Sequence, residues 1–273
     1  MTTILSHSIF GLSGKCRVPG DKSISHRALM LGALSVGETR IHGLLESDDI
    51  LATVSAIISL GAKVTQLEDQ TWQVFGCGVG GMAAPSDVIN MGNSGTGVRL
   101  LMGLLAGQPI TAVLTGDASL RSRPMKRIMI PLGQMGVNFS AAEGDMLPLA
   151  MTSPTELMPI TYEPPVASAQ IKSAILLAGL AAPGETTVLE NIATRDHTER
   201  MLAHFGAEVR IDGSHSGGKK ITVVGQPELI GRPVVVPADI SSAAFPLVAA
   251  LLVPKSEILI EDVGINSLRS GLL

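Results

Sequence analysis

"LGAKV" (60–64), "MGVNF" (135–139) and "FGAEV" (205–209) are three versions of one junction. Each ends a stretch with apolar residues at helical spacing, turns on a glycine and opens a run of strand character. The glycines, Gly61, Gly136 and Gly206, stand 75 and 70 residues apart. Upstream of each lies a helix of small and apolar residues: "ISHRALMLGALSVG", "GTGVRLLMGLLAG" and "AQIKSAILLAGLAAPG". A short strand follows ("ETRIHG", "TAVLTG" or "ETTVLEN"), then a polar turn and a second helix ("DDILATVSAIISLG", "SRPMKRIMIPLGQMG" or "RDHTERMLAHFG"). The order strand, helix, strand, helix, strand thus recurs three times. So long a period belongs to repeated supersecondary units packed around shared cores, and the fold class is α/β, or α+β in some schemes.

A fourth copy opens at Ala238. "ADISSAAFPLVAALLVPKSEILIEDVGINSLRSGLL" matches the third copy in helix, turn and strand, with "SLRSGLL" standing where "HTERML" stands there. The closing glycine and its strand are missing. The expectation is three complete units and part of a fourth, truncated, with "GQPELIGRPVVVPAD" (225–239) as the crossover.

The 273 residues are 45% hydrophobic, enough for one or two domains. A net charge of −4 provides no general field for nucleic acid, and 3% aromatic content leaves few stacking platforms for single strands. Any anion site must be local. Mean hydropathy is +0.37, yet "AILLAGLAA" and "FPLVAALLVP" are far too short to span a bilayer and are expected as buried core helices. "MTTILSHSIFGLSGK" has neither a basic n-region nor a cleavage-like site, so a soluble, cytoplasmic chain is expected. Cys16 and Cys77 lack metal or redox spacing and are expected as buried free thiols.

Polar residues gather where the helices begin. "VPGDKSISHR" (18–27) sets Lys22 and Arg27 beside a helix start, with Ser23 or Ser25 as the expected cap. Cations sit poorly at the positive end of a helix dipole, so this pair invites an anion between them. "NMGNSGTGVR" offers Asn93, Ser94, Gly95, Thr96 and Arg99, and "LRSRPMKR" crowds Arg121, Arg123, Lys126 and Arg127. "ASAQIKS" supplies Ser168, Gln170 and Lys172, and "TRDHTER" supplies Arg195 and His197. Plainer readings exist: a Gly-Ser turn at 92–97, a solvated face for Lys126 and Arg127, and a simple cap for Ser168. "GCGVGG" (76–81) is followed by "MAAPSDVIN" rather than a helix and reads as a turn. His197 and His204 have no third partner for a metal. Recurrence at the same place in three units favours convergence on one anion pocket.

"VPGDKSISHR", "GNSGTGVRLLMGLLAG", "LRSRPMKR", "SAQIKSAILLAGL" and "RDHTERML", in this order, resemble the 5-enolpyruvylshikimate-3-phosphate synthase family along the whole chain. Ala169 between Ser168 and Gln170 is closer to the class II bacterial members than to class I. The resemblance implies the enolpyruvyl transferase fold, two domains of three βαβαββ units each, roughly 420 residues in all. Residues 1–19 would then belong to the second domain, 20–237 would form a complete three-unit substrate domain, and 238–273 would begin the second. The implied reaction transfers the enolpyruvyl group of phosphoenolpyruvate to the 5-hydroxyl of shikimate 3-phosphate, releasing phosphate. The same resemblance gives Lys22 to both substrates and to catalysis, Ser23 and Arg27 to shikimate 3-phosphate, Ser168, Ala169 and Gln170 to its ring, and Arg195 to its phosphate. Gly95, Thr96 and Arg123 would face phosphoenolpyruvate, with Asn93 a second-tier candidate. No metal or organic cofactor, nucleic acid or membrane is implied. The family's catalytic Asp and Glu belong to the second domain, so this chain alone is expected to bind shikimate 3-phosphate weakly and to turn over negligibly. A non-catalytic half-domain, with a separate polypeptide carrying the remaining units as its partner, stays open as the alternative. The related UDP-N-acetylglucosamine enolpyruvyl transferase is disfavoured, because its loop cysteine has no counterpart in 121–127.

Overall fold

In the computed structural model, residues 5, 7, 10–213 and 218–273 are described, and these residues form fourteen strands and eight helices. After β1 (Ser13–Cys16), the first unit is α1 (Lys22–Leu34), β2 (Glu38–His42), α2 (Asp48–Ser59), β3 (Lys63–Gln66) and β4 (Trp72–Phe75). The second is β5 (Ile89–Asn90), α3 (Gly95–Ala106), β6 (Thr111–Thr115), α4 (Ala118–Arg121), α5 (Lys126–Gln134), β7 (Asn138–Ala142) and β8 (Met146–Thr152). The third is β9 (Thr161–Tyr162), α6 (Ala169–Gly179), β10 (Glu185–Glu190), α7 (His197–Phe205), β11 (Val209–Gly213) and β12 (Lys219–Val224). Then come β13 (Val234–Val235), α8 (Ile240–Leu252) and β14 (Glu257–Ile260).

Three four-stranded sheets repeat one topology: β13-β2-β4-β3, β5-β6-β8-β7 and β9-β10-β12-β11. In each, a two-residue edge strand runs parallel to its neighbour and the rest is antiparallel. The edge strand of the first sheet comes from the expected crossover, where Val234 registers with Ile41. A two-residue strand lacks a periodic signature, so the sequence shows only a linker there.

The repeated glycines behave alike. Gly61, Gly136 and Gly206 all sit in the left-handed region, at φ of 102°, 105° and 103°. The next amide returns to a helix carbonyl in each case: Ala62 to Ile57 at 3.1 Å, Val137 to Leu132 at 3.1 Å and Ala207 to Leu202 at 3.0 Å. One helix-stop geometry, accessible to glycine at little cost, is used three times.

Helices α1, α3 and α6 are buried almost all round, which is why their sequences are small and apolar without a polar face. Helices α2, α5 and α7 bury one stripe and present the other to solvent. Between α3 and α6 the backbones nearly touch. A Cβ added to Gly103 would lie 2.3 Å from the Ala174 carbonyl oxygen.

Several expectations are corrected. The helix expected across "SRPMKRIMIPLGQMG" is broken, because Pro124 disfavours helical backbone at Arg123, and α5 starts only at Lys126. Asp21, not Ser23 or Ser25, caps α1, accepting from the Ile24 amide at 2.9 Å. Cys16 is exposed and Cys77 half-buried, so neither is a core thiol. Helix α8 is not a core helix: only Ile240 and Ala243 are buried, and Phe245 and Leu251 lie 80% and 78% exposed. "SLRSGLL" forms turns, being too short to offset helix nucleation. β1 pairs in parallel with β14, while residues 1–4, 6, 8 and 9 of the expected N-terminal strand region lie outside the described residues. Among the described residues no helix is long and apolar enough to cross a membrane.

Candidate functional site

The N-termini of α1, α3 and α6 meet, and side chains sew them together. Gln170 on α6 donates from Nε2 to Thr96 Oγ1 on α3 at 3.0 Å, and its Oε1 accepts from Arg127 at 3.0 Å. Arg27 on α1 donates to Ser173 Oγ on α6 and to Thr198 Oγ1 on α7, each at 2.7 Å. Arg195, just before α7, reaches Ser23 Oγ at 3.3 Å. Arg123 donates to Asn93 Oδ1 at 2.8 Å, and its guanidinium lies so near Gly95 that a Cβ there would sit 2.9 Å from Nη1. Ser168 caps α6 at 3.4 Å from the Ile171 amide, leaving Ala169 and Gln170 at the open turn. Hydrogen bonds thus join Gln170 to Thr96 and Arg127, and Arg195 to Ser23, across the units, and set Arg123 against Asn93 and Gly95, but Arg27 and Lys22 do not flank an open gap.

Arg27 is turned inward. It is 4% exposed and also donates to the Ser23 carbonyl at 2.8 Å, which leaves two of its five N–H groups for a ligand. Lys22 is half-exposed and pairs with Asp49 Oδ2 at 2.7 Å. Asp49 was invisible in the sequence because an acidic residue in the first turn of α2 is ordinary dipole chemistry. Lys126 and Arg127 are both exposed, as a solvated face predicts, Lys126 near Asp145 at 3.8 Å and Arg127 donating to Gln170 at 3.0 Å. Lys172 is not a site cation at all, being buried between Glu190 and Glu199.

The charge balance of the junction is one-sided. Among the described residues Arg27, Arg99, Arg123, Arg127 and Arg195 form no ion pair with a carboxylate. Burial pulls Arg27 down to about 10, with Arg195 adding to the effect. Burial also pulls Arg99 down to about 10, helped by Arg127 and Arg123, and Arg195 is lowered by burial and by Arg269. Crowded guanidinium groups that destabilise one another are relieved by an anion. A cleft of about 580 Å³ opens beside three of them, walled by Arg99, Arg123, Arg127 and Lys126 over Ile130, Tyr162 and Ile171; Arg27 and Arg195 do not line it.

His26 joins the first two units from below. Its Nδ1 lies 2.8 Å from Thr53 Oγ1 and its Nε2 3.4 Å from Ser94 Oγ, the cap of α3. Thr53 donates its hydroxyl to the Asp49 carbonyl, so the ring is assigned as the Nδ1–H tautomer. Burial lowers its pKa to about 3, aided by Arg27 and Lys22 and opposed by Asp49. The unfolded chain protonates this ring below pH 6.5 and the folded chain does not. Stability is therefore intact above pH 6.5 and falls by ~1.4 kcal/mol per pH unit below it, toward pH 3, on account of this one group. Urea unfolding of wild type and His26→Asn at pH 7 and pH 5 reads this directly. The loss on acidification is smaller in the variant by about 2 kcal/mol, and equal losses would remove His26 from the account.

The structure is thus a mixed α/β fold of three repeated units whose helix N-termini meet among arginines. A sequence model of the family "EPSP synthase (3-phosphoshikimate 1-carboxyvinyltransferase)" matches residues 8–273. The 3-phosphoshikimate 1-carboxyvinyltransferase of Paramagnetospirillum magneticum is 62% identical over 261 residues, 96% of this chain and 58% of that protein. That of Rhodospirillum rubrum is 57% identical over 272 residues, 98% of this chain and 60% of that protein. The solved EPSP synthase from Acinetobacter baumannii superposes with a TM-score of 0.86 at 46% identity, over 94% of this chain and 57% of that one. The chain belongs to the EPSP synthase family, and it spans about three fifths of the length of the curated relatives it matches.

Proposed function

We propose that these residues form the shikimate 3-phosphate site and part of the phosphoenolpyruvate site of an enolpyruvyl transferase. The observation that carries this is the set of five arginines that, among the described residues, have no carboxylate ion-pair partner where three helix N-termini meet. Lys22, Ser23, Arg27, Ser168, Ala169, Gln170 and Arg195 hold the shikimate 3-phosphate, and Gly95, Thr96 and Arg123 face the second substrate. The 5-hydroxyl gives up its proton to a base as its oxygen adds to C2 of phosphoenolpyruvate and C3 takes a proton from an acid, giving a tetrahedral intermediate. Loss of phosphate from C2 and of a proton from C3 then regenerates the double bond. Cations offset the clustered phosphate and carboxylate charge, and Lys22, coupled to Asp49, is the group at hand for proton transfer.

Residues 20–237 act as the substrate domain, and β1, α8 and β14 belong together as part of a second one. Asp49 already pairs with Lys22, which ties up this carboxylate. We therefore expect binding without appreciable turnover from these residues. Calorimetric titration of shikimate 3-phosphate into the 273-residue chain tests the reading. Lys22→Ala weakens binding about tenfold, ~1.4 kcal/mol. A folded chain that releases no heat, or a variant that binds like wild type, would overturn the assignment, and full-rate phosphate release would overturn the expected inactivity.

A further inference from the structure

Lys172 Nζ lies 3.0 Å from Glu190 Oε2 and 2.6 Å from Glu199 Oε1, and none of the three side chains is more than 4% exposed. Glu190 ends β10 and Glu199 sits in the first turn of α7, so one ammonium pins both ends of the connection between them. Glu190 also clasps the connection itself: its Oε1 accepts the Thr194 hydroxyl and its Oε2 the Thr194 amide at 3.5 Å. The residue after Thr194 is Arg195, whose Nη1 points to Ser23 at 3.3 Å. An apolar trio would fill this space about as stably, but it could not grip a hydroxyl and a backbone amide.

We propose that Lys172, Glu190 and Thr194 are positioning residues for Arg195, fixing the connection so that the guanidinium stands ready for the substrate's phosphate. This rests on the reading that Arg195 meets the phosphate of shikimate 3-phosphate. The arginine side chain has much rotamer freedom, and a clamped base reduces what must be ordered on binding. The arrangement also explains why a lysine lies inside α6, two residues from Gln170 and facing away from the open site.

Thr194→Val keeps the side-chain shape and the ion cluster while deleting the hydroxyl. Titrated with shikimate 3-phosphate, it binds about fivefold more weakly than wild type, the worth of one hydrogen bond. Unphosphorylated shikimate binds both proteins equally. In an Arg195→Gln background the same change alters affinity less than about twofold, because its effect runs through the arginine. Additive losses, or equal losses for shikimate, overturn the proposal. If the wild type binds no shikimate 3-phosphate, the functional reading has failed, and amide exchange at 194–196 then decides the positioning alone. Exchange about tenfold faster in Thr194→Val supports it, and unchanged exchange overturns it.

Discussion

Lys172→Met lowers the folding stability of the chain by about 3–5 kcal/mol, the cost of breaking a buried ion cluster by removing one partner. Methionine preserves most of the volume, so the loss is electrostatic. Glu190 and Glu199 would then face each other at the end of β10 with their common partner gone, and Glu199 Oε2 already lacks a hydrogen bond. Burial raises the Glu199 pKa even in the wild type, ahead of the lowering by Lys172. Without Lys172 it rises further. A carboxyl whose folded pKa is raised loses stability as pH climbs, so the deficit of the variant is larger at pH 8 than at pH 5. Differential scanning calorimetry at both values measures this, with a shift in Tm of about 10 °C expected at the higher one. A second change, Glu199→Gln, restores part of the loss. A deficit independent of pH would show that packing, not charge, sets it.

Gly103→Ala is expected to cost about 3 kcal/mol, although alanine is the better helix former by ~1 kcal/mol. The added Cβ would lie 2.3 Å from the Ala174 carbonyl oxygen and 2.6 Å from its Cα. Those are backbone atoms of α6, one turn beyond the site residues Ser168 to Gln170, so relief requires the whole helix to move. Gly133→Ala is the control. It lies exposed on α5 with no atom within 4 Å of the added methyl, and it should gain about 0.5–1 kcal/mol. Urea midpoints of the two variants move in opposite directions, and two shifts of the same sign would mean that the α3–α6 approach is not as close as described.

The three units were legible in the sequence because helix-stop glycines and small-residue helices are local signals, each recurring at a fixed offset. Their common φ near 103° is what the repetition of Gly61, Gly136 and Gly206 encoded. The proposed site was read from helix beginnings, where Lys22 stands against the helix dipole and Gly95 follows a glycine-rich turn, whereas Ser168 reads as an ordinary cap and is one. What escaped was whatever depends on a distant partner. Nothing near Lys172 in the sequence announces Glu190 and Glu199, and nothing near Arg27 announces Ser173 and Thr198. The exposure of α8 escaped for the opposite reason: an apolar helix reads as buried whether or not the described residues cover it.

Strand β13 carries a consequence for the order of events during synthesis. The first sheet has three of its strands by residue 75, but its fourth, Val234–Val235, is made about 160 residues later. At typical elongation rates the ribosome takes roughly 8–30 s to supply it. Until then β2 offers an open row of backbone groups beside His42, the kind of edge on which nascent chains pair wrongly. Of the three four-stranded sheets the first begun is thus the last completed, and its edge stays open while the second and third units are made.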